Sequence, residues 1–482
     1  MKTKALLALF LSTQILANNN AYNEAVETLE NAPANIKAVM ASAPSTFKFD
    51  SNLEAGKNSV SYTGQTFRQV LISDLKKYMG GQLAGNFMGD NSEALEVLNS
   101  YFKFTNTTPS VAFDAVDSTS EFQVTAKMID GTAADISEGF FYGDLKGSGK
   151  NLIKKMAGVD NPLRRGKLVG ATGFNTPVEY VESLFAEFAK NQVDGDSFLV
   201  PNGNLPKQRV KKAQTTKDGR DLTQLTQKFF HGAISYSQSA RDYLSTDLGA
   251  SKGLNADNTY PSKPGKAYTS LEHHFDEGFG YFGAAVDYKH YTDLQIRNKV
   301  SIDTNGDGEI SLQSEKNFGL SINAAKIDRV SKVHTDFSGE AINAFLAGRQ
   351  LIAKKPANYK KYVVANARVA LGAWEKTIAA VVIHYINWTV QEMNEYGTDK
   401  YLFTNLAKFW SEMKGYAFAF QFSPVSMVSD TDFDKLHALM GDKPVLPHAD
   451  AAAVAKYKAD LLKARDILEK SFNFDKENVR NW

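Results

Sequence analysis

Apolar residues recur every three or four positions over long stretches of this chain, while runs alternating apolar with polar residues are few. A 3.6-residue period gathers such positions on one face of a helix, so the pattern predicts an all-α protein. The spacing predicts helices over 22–29, 66–78, 92–102, 149–157, 177–191, 222–244 and 271–291. Further helices are expected over 339–354, 357–395, 400–421, 432–440 and 449–472.

Between 192 and 221 the periodicity lapses and Gly, Pro, Asp and Lys crowd together, which marks a boundary between two helical bundle modules, 45–200 and 221–446. An N-terminal extension (18–44) and a C-terminal helix (447–482) flank them. Stretches 101–121 and 246–269, with their Thr, Pro, Gly and Asn, read as long surface loops. Residues 1–17 have the form of a signal peptide: Lys2 and Lys4, an apolar run from Ala5, and the small Ala17 before Asn18. That predicts export to the periplasm, the cell surface or the medium, and without a cysteine after the cut no lipid anchor is expected there. The chain has 0 cysteines, so no disulfide staples the fold, and its 43% hydrophobic residues must supply the core. The most apolar later stretch, 370–388, contains Glu375, Lys376 and His384, so no transmembrane segment is expected after signal removal. With 55 Lys and Arg against 54 Asp and Glu, the global attraction that nucleic-acid binders use is absent.

The chemistry concentrates in 271–288, where His273 and His274 stand side by side within a turn of Asp276 and Glu277. On a helical wheel Glu277 lies roughly 40° from His273 and roughly 60° from His274, so the three could face one ion. Gly278, Gly280 and Gly283 follow, each costing a helix about 1 kcal/mol against Ala. Close approach of another helix or of a ligand would account for them; the competing reading has the histidines pair with local carboxylates and the glycines end the helix. A bundle metal site draws further ligands from neighbouring helices. Glu412, set in the apolar stripe of Phe409, Met413 and Tyr416, and Glu375, flanked by Leu371, Ile378 and Val382, are the candidates. A carboxylate on a packed face needs a cation, a proton or hydrogen bonds. Glu412 could instead pair with Lys408 one turn away. His384 lies about 180° from Glu375 on its helix and reads as a hydrogen-bonded core histidine. His231 is a weaker candidate.

A second motif runs from Asp303 to Glu315, with oxygen donors Asp303, Asn305 and Asp307 at positions one, three and five, Gly308 at six and Ile310 at eight. This is the pattern of an EF-hand-type calcium loop, with Glu309 as a further donor. The closing Glu belongs at position twelve, which is Ser314; Glu315 stands one place late. Binding near 10⁻⁴ to 10⁻³ M is expected, on the order of extracellular calcium modules. A Gly-x-Ser-x-Gly elbow, a Gly-Lys-Ser/Thr phosphate loop and a His-Glu-x-x-His zinc motif are all missing from the sequence.

Tyr62-Thr-Gly-Gln65-Thr-Phe-Arg68, Glu272-His273-His274-Phe-Asp276-Glu277, the loop running on to Asn317 and Lys326, Ala344-Phe-Leu-Ala-Gly348-Arg349 and Trp410-Ser411-Glu412 together resemble domain-of-unknown-function family 4856 over roughly 45–446. That family is distantly similar to imelysins, exported helical proteins associated with iron uptake, whose His-x-x-Glu signature matches His274-Phe-Asp-Glu277. The resemblance implies a two-bundle fold with a site between helices. The expectation is a periplasmic or cell-surface metal-binding protein of iron or other transition-metal acquisition, holding iron or zinc at His273, His274, Asp276, Glu277, Glu375 and Glu412, with structural Ca²⁺. Its partners would be the metal ion and an outer-membrane uptake receptor or other surface protein. The alternatives are a metal-dependent hydrolase of imelysin type, in which Glu277 or Asp276 activates water, and a calcium-stabilised interaction protein without transition metal.

Overall fold

The structure is a computed structural model that describes residues 20–81, 90–103, 123–125, 150–249 and 251–482. The expected signal segment 1–17, most of the loop 101–121 and Gly147 to Gly149 lie outside the described residues.

The described chain is mainly helical, as the periodicity predicts. It begins with α1 (Asn20–Glu30), α2 (Ala34–Ala41), α3 (Thr63–Met79) and α4 (Asn91–Phe102). A three-residue strand β1 (Gln123–Thr125), α5 (Pro177–Asp194) and the hairpin β2 (Phe198–Asn202) and β3 (Leu205–Val210) come next. After α6 (Leu222–Phe230) come α7 (Ser270–Phe282), α8 (Asp293–Arg297), β4 (Glu309–Ser311), α9 (Gly319–Val330) and α10 (Phe337–Lys354). The chain closes with α11 (Tyr359–Asn394), α12 (Phe403–Ala417), α13 (Asp430–Met440), α14 (Ala451–Phe472) and α15 (Lys476–Asn481). Local chemistry sets many of the starts. Thr176 with Glu179 and Thr269 with Glu272 form reciprocal capping boxes on α5 and α7, and Asp90, Asp221, Asp336 and Asp450 accept from the first turns of α4, α6, α10 and α14.

The helix expected over 271–291 stops at Gly283. Gly283 takes φ +85°, and a Cβ there would stand 2.5 Å from the Phe318 carbonyl oxygen, so the chain turns where only glycine fits. The helix expected over 222–244 changes character at His231, continuing through π-helical turns His231–Tyr236 and Gln238–Tyr243. Of the helix expected over 149–157, the described residues 150–157 form only the 3₁₀ turn Ile153–Lys155. Helix α9 was not foreseen: it opens after Phe318 with no side-chain cap, on a Gly319 of positive φ.

The longest helix, α11, runs through the middle, with α1, α9, α10, α12 and α14 packed around it. It is long and apolar enough to cross a membrane, yet 83% of its most apolar window is buried inside the protein, as befits a core helix. The β2–β3 hairpin occupies the expected boundary at 192–221, but helices on either side of it touch: α3 packs on α6 and α7, and α5 on α6. Buried apolar side chains form one contiguous cluster from Ala25 to Trp482, so the two expected modules share a core.

Candidate functional site

Helix α7 carries acids on two faces. Glu272 and Asp276, one turn apart, point inward to Arg349 of α10, which donates from Nη1 to Glu272 Oε1 at 3.1 Å and from Nε to Asp276 Oδ1 at 2.8 Å. Its third nitrogen reaches the Ser59 hydroxyl at 2.7 Å, and the guanidinium lies 4.9 Å from the Phe49 ring centre. Asp276 Oδ2 also accepts from the Ser61 amide at 3.1 Å. Arg349 and Asp276 are 0% exposed and Glu272 1%, so this is a sealed triad of two acids on one cation. Burial pushes the Asp276 carboxyl up to about 7 against the pull of Arg349. Asp276 was expected as a metal ligand; the structure turns it away from the histidines and gives its charge to Arg349.

His273, His274 and Glu277 occupy the other face, each half-buried. The glycines explain how the neighbours come so close. A Cβ on Gly280 would meet Tyr62 and Gln65 of the α3 end at 2.8–2.9 Å, and one on Gly278 would meet Leu244 at 2.8 Å. That approach lets Gln65 donate to Glu277 Oε1 at 2.8 Å. His273 Nδ1 lies 3.0 Å from the Ser61 carbonyl and His274 Nδ1 3.2 Å from the Gly253 carbonyl. A carbonyl only accepts, so each Nδ1 carries a proton and each Nε2 is the nitrogen left to face a ligand. Burial lowers the His273 pKa, which keeps that ring neutral. His273 Nε2 is 3.8 Å from Glu277 Oε2, and the two imidazole centres are 6.4 Å apart. Burial and the charge of Arg68 lower the Lys150 pKa, and the charge of Glu277 offsets part of that push.

The remaining candidates sit elsewhere. Glu375 of α11 is 1% exposed and accepts from the Ser426 hydroxyl and, at 2.9 Å, the Met427 amide; burial pushes its carboxyl up to about 7. Glu412 of α12 is 4% exposed and pairs with Lys228 of α6 at 3.5 Å rather than with Lys408. His384 packs at a tilt against Trp388, with ring centres 4.4 Å apart, and burial lowers its pKa to about 4. His231 lies under Tyr416, its pKa lowered to about 3 by burial. Among the described residues, no three imidazole or carboxylate side chains gather as they stand around one point that could hold an ion.

In the 303–315 loop, the amides of Gly306 (2.7 Å), Asp307 (3.2 Å) and Gly308 (2.8 Å) close on the Asp303 carboxylate, while Asn305 Oδ1 accepts from the Asp307 amide. Ile310, at position eight, is 0% exposed and lies in β4, whose register pairs it in parallel with Val124. Glu315 does not stand open at the mouth: it ties the Thr304 amide at 2.8 Å to the Ser311 amide at 2.7 Å.

Residues 44–435, more than half of the chain, match the family described as Domain of unknown function (DUF4856). The chain belongs to that family. Helix α7, Arg349, Glu412 and the Asp303 loop all fall inside the stretch that matches DUF4856. No curated protein and no solved structure matches the chain. The likeness to imelysins therefore rests on His274-Phe-Asp-Glu277 alone. The sequence reading missed Arg349, although the apolar series Ala341, Phe345 and Arg349 at four-residue steps places its guanidinium on a buried face and signals a paired acid.

Proposed function

We propose that this protein is an exported metal-binding protein that takes a divalent transition metal, iron or zinc, at His273, His274 and Glu277, with calcium in the EF-hand-type loop at Asp303. The observation that carries the reading is the pair of tautomers fixed by Ser61 and Gly253. Metal-bound histidines characteristically donate their second ring nitrogen to a backbone carbonyl or carboxylate, which orients the ring and leaves the other nitrogen as ligand. The 3.8 Å between His273 Nε2 and Glu277 Oε2 is within the span of about 4.2 Å that two ligands at about 2.1 Å leave across an ion. Nitrogen and carboxylate donors without sulfur suit iron or zinc over Cu(I). Asp276, Glu375 and Glu412 take no part in this version of the site, whose remaining positions would be filled by water or by a chelate carrying the ion. Service in metal acquisition, handing the ion to an uptake receptor, is the role that fits an exported carrier with an incomplete ligand shell.

The test is elemental analysis of protein purified without chelators beside the His274→Ala/Glu277→Ala double variant, with circular dichroism to check that both fold. Near-stoichiometric iron or zinc in the first and at least a tenfold lower content in the second is expected. Equal content in the two folded proteins ends the proposal.

A further inference from the structure

The β2–β3 hairpin and the turn after it carry a charge of one sign. From Ser197 to Lys217 the chain holds Lys207, Arg209, Lys211, Lys212 and Lys217 and no acid, 5 − 0 = +5, in a protein whose net charge is +1. The hairpin orders part of that charge into a row. Side chains alternate across a strand, and in β3 Lys207 and Arg209 are exposed while Gln208 is half-buried and Val210 buried. Residues two apart on one face of a strand stand about 7 Å from each other, so Lys207 and Arg209 are neighbours, and the exposed Lys211 just past the strand continues the row. Leu199 of β2, 50% exposed, is the register partner of Arg209 and shares that outer face.

The inner face fixes the hairpin to the body. Gln208 donates from Nε2 to the Tyr401 carbonyl at 2.5 Å and accepts from the Phe403 amide at 2.9 Å, both at the start of α12. Phe198 meets the Phe403 ring edge-on, with centres 5.8 Å apart. Asn202 donates to the Thr398 carbonyl and accepts from the Gly397 amide, each at 2.7 Å. The basic row therefore faces outward on a ribbon held from behind. Its charge is not answered within the protein: among the described residues Lys207, Lys211, Lys212 and Lys217 form no ion pair, and Arg209 donates to the neutral Ser197 hydroxyl at 2.6 Å. Of the flanking acids, Asp194 pairs with Lys190, and Asp218 and Glu187 pair with Arg220, which leaves Asp196.

We propose that the outer face of the β2–β3 hairpin is a docking surface for a lipid bilayer rich in anionic headgroups. A two-stranded ribbon bearing Lys207, Arg209 and Lys211 reads charge density, and a plane of many equal anions supplies it. Leu199 favours lipid over an acidic protein or a nucleic acid, because at a bilayer its side chain enters the apolar boundary while the Lys and Arg stems lie along it. Each Lys or Arg close to an anionic bilayer strengthens binding about fivefold, so the row of three gives about a hundredfold.

The experiment is co-sedimentation of the full chain with vesicles of phosphatidylcholine alone and with vesicles containing about 30% phosphatidylglycerol. Chelator is present throughout, so a metal at His274 has no part in the result. Pure phosphatidylcholine sets the baseline for the apolar run at 5–16, which enters a bilayer without regard to its charge. At about 0.1 M salt the anionic vesicles should bind at least tenfold more tightly than the neutral ones, and about 0.5 M salt should remove the difference. The Lys207→Gln/Arg209→Gln/Lys211→Gln variant, changed at exposed positions alone, should keep its circular dichroism spectrum and bind anionic vesicles at least tenfold more weakly than wild type. Polyglutamate and duplex DNA serve as competing soluble polyanions. Equal affinity for the two vesicle types, equal affinity of wild type and variant for the anionic ones, or tighter binding of either polyanion at the same concentration of charge overturns the proposal.

Discussion

Replacing Arg349 with methionine removes the one cation from a chamber that keeps two acids. The structure fixes what is lost: hydrogen bonds of 2.8 Å to Asp276, 3.1 Å to Glu272 and 2.7 Å to Ser59, all from a side chain with 0% exposure. Breaking a buried pair by deleting one partner costs about 3–5 kcal/mol, because the remaining charge has no solvent. The cost depends on pH in a defined direction. With the arginine gone, Asp276 loses the charge that opposes its burial, so its carboxyl, already at about 7, is pushed further up. An aspartate titrates near 3.9 in the unfolded chain, so keeping it protonated costs about 5.5 kcal/mol at pH 8, against about 4 kcal/mol for wild type titrating near 7, and about 1.5 kcal/mol for both at pH 5. Its folded pKa is the higher one, so its contribution is intact in acid and is lost as pH rises.

The expected outcome is therefore an Arg349→Met variant destabilised by about 3–5 kcal/mol at pH 8 and by about 1.5 kcal/mol less than that at pH 5. Urea unfolding followed by far-ultraviolet circular dichroism at the two pH values measures it. A deficit below about 1 kcal/mol at pH 8, or one that is the same at both, would refute the account of the triad as two carboxylates held by one guanidinium.

Glu375, raised to about 7 from an ordinary 4.5, gives a second pH-dependent case. Its folded pKa is the higher one, so its contribution is whole below pH 4.5 and is lost as pH rises through 7; relative to Glu375→Gln, wild type should lose about 2.5 kcal/mol of stability between pH 5 and pH 8. Parallel pH profiles for the two proteins would show that the carboxylate is not desolvated as described. For the loop at Asp303, a calcium affinity of about 10⁻⁴ M means that 10 mM calcium, roughly 100 times Kd, adds about 2.7 kcal/mol to chelator-treated protein. Asp303→Ala should abolish that increment in a thermal melt, and an equal gain in wild type and variant would exclude the loop as the site.

Much of the fold follows from periodicity. Helices α3, α4, α5, α10, α11, α13 and α14 fall within a few residues of their expected bounds because each presents a long apolar stripe to the core. Elements that escaped the pattern have physical reasons. The five-residue α8 is too short to show a period, and its start is set by Thr292 with Gln295, a local cap. The π-helical turns from His231 add a residue per turn, which breaks a 3.6-residue count just where Gly232 must lie against Ala419, with room of only 2.9 Å for a Cβ. The hairpin at 198–210 has a short, mostly solvent-facing pattern without alternation strong enough to declare a strand.

The acids are more instructive, because their burial was legible and their partners were not. Glu375, Glu412 and Asp276 are 1%, 4% and 0% exposed, as expected for carboxylates set among apolar neighbours. Burial imposes a need that three kinds of supplier can meet, and here each acid found a different one: hydrogen bonds from Ser426 and Met427, the ammonium of Lys228, the guanidinium of Arg349. A one-dimensional pattern shows the need but not the supplier, since the supplier arrives from another helix. The consequence reaches the proposed metal site. With those three charges committed elsewhere, a divalent ion at His273, His274 and Glu277 would meet two neutral imidazoles and one carboxylate, leaving 2 − 1 = +1 uncompensated beside the Lys150 ammonium. Such a shell binds more weakly than a closed structural site and favours an ion that brings its own anionic ligand, which is the behaviour of an exchange site and the reverse of what a permanent structural metal requires.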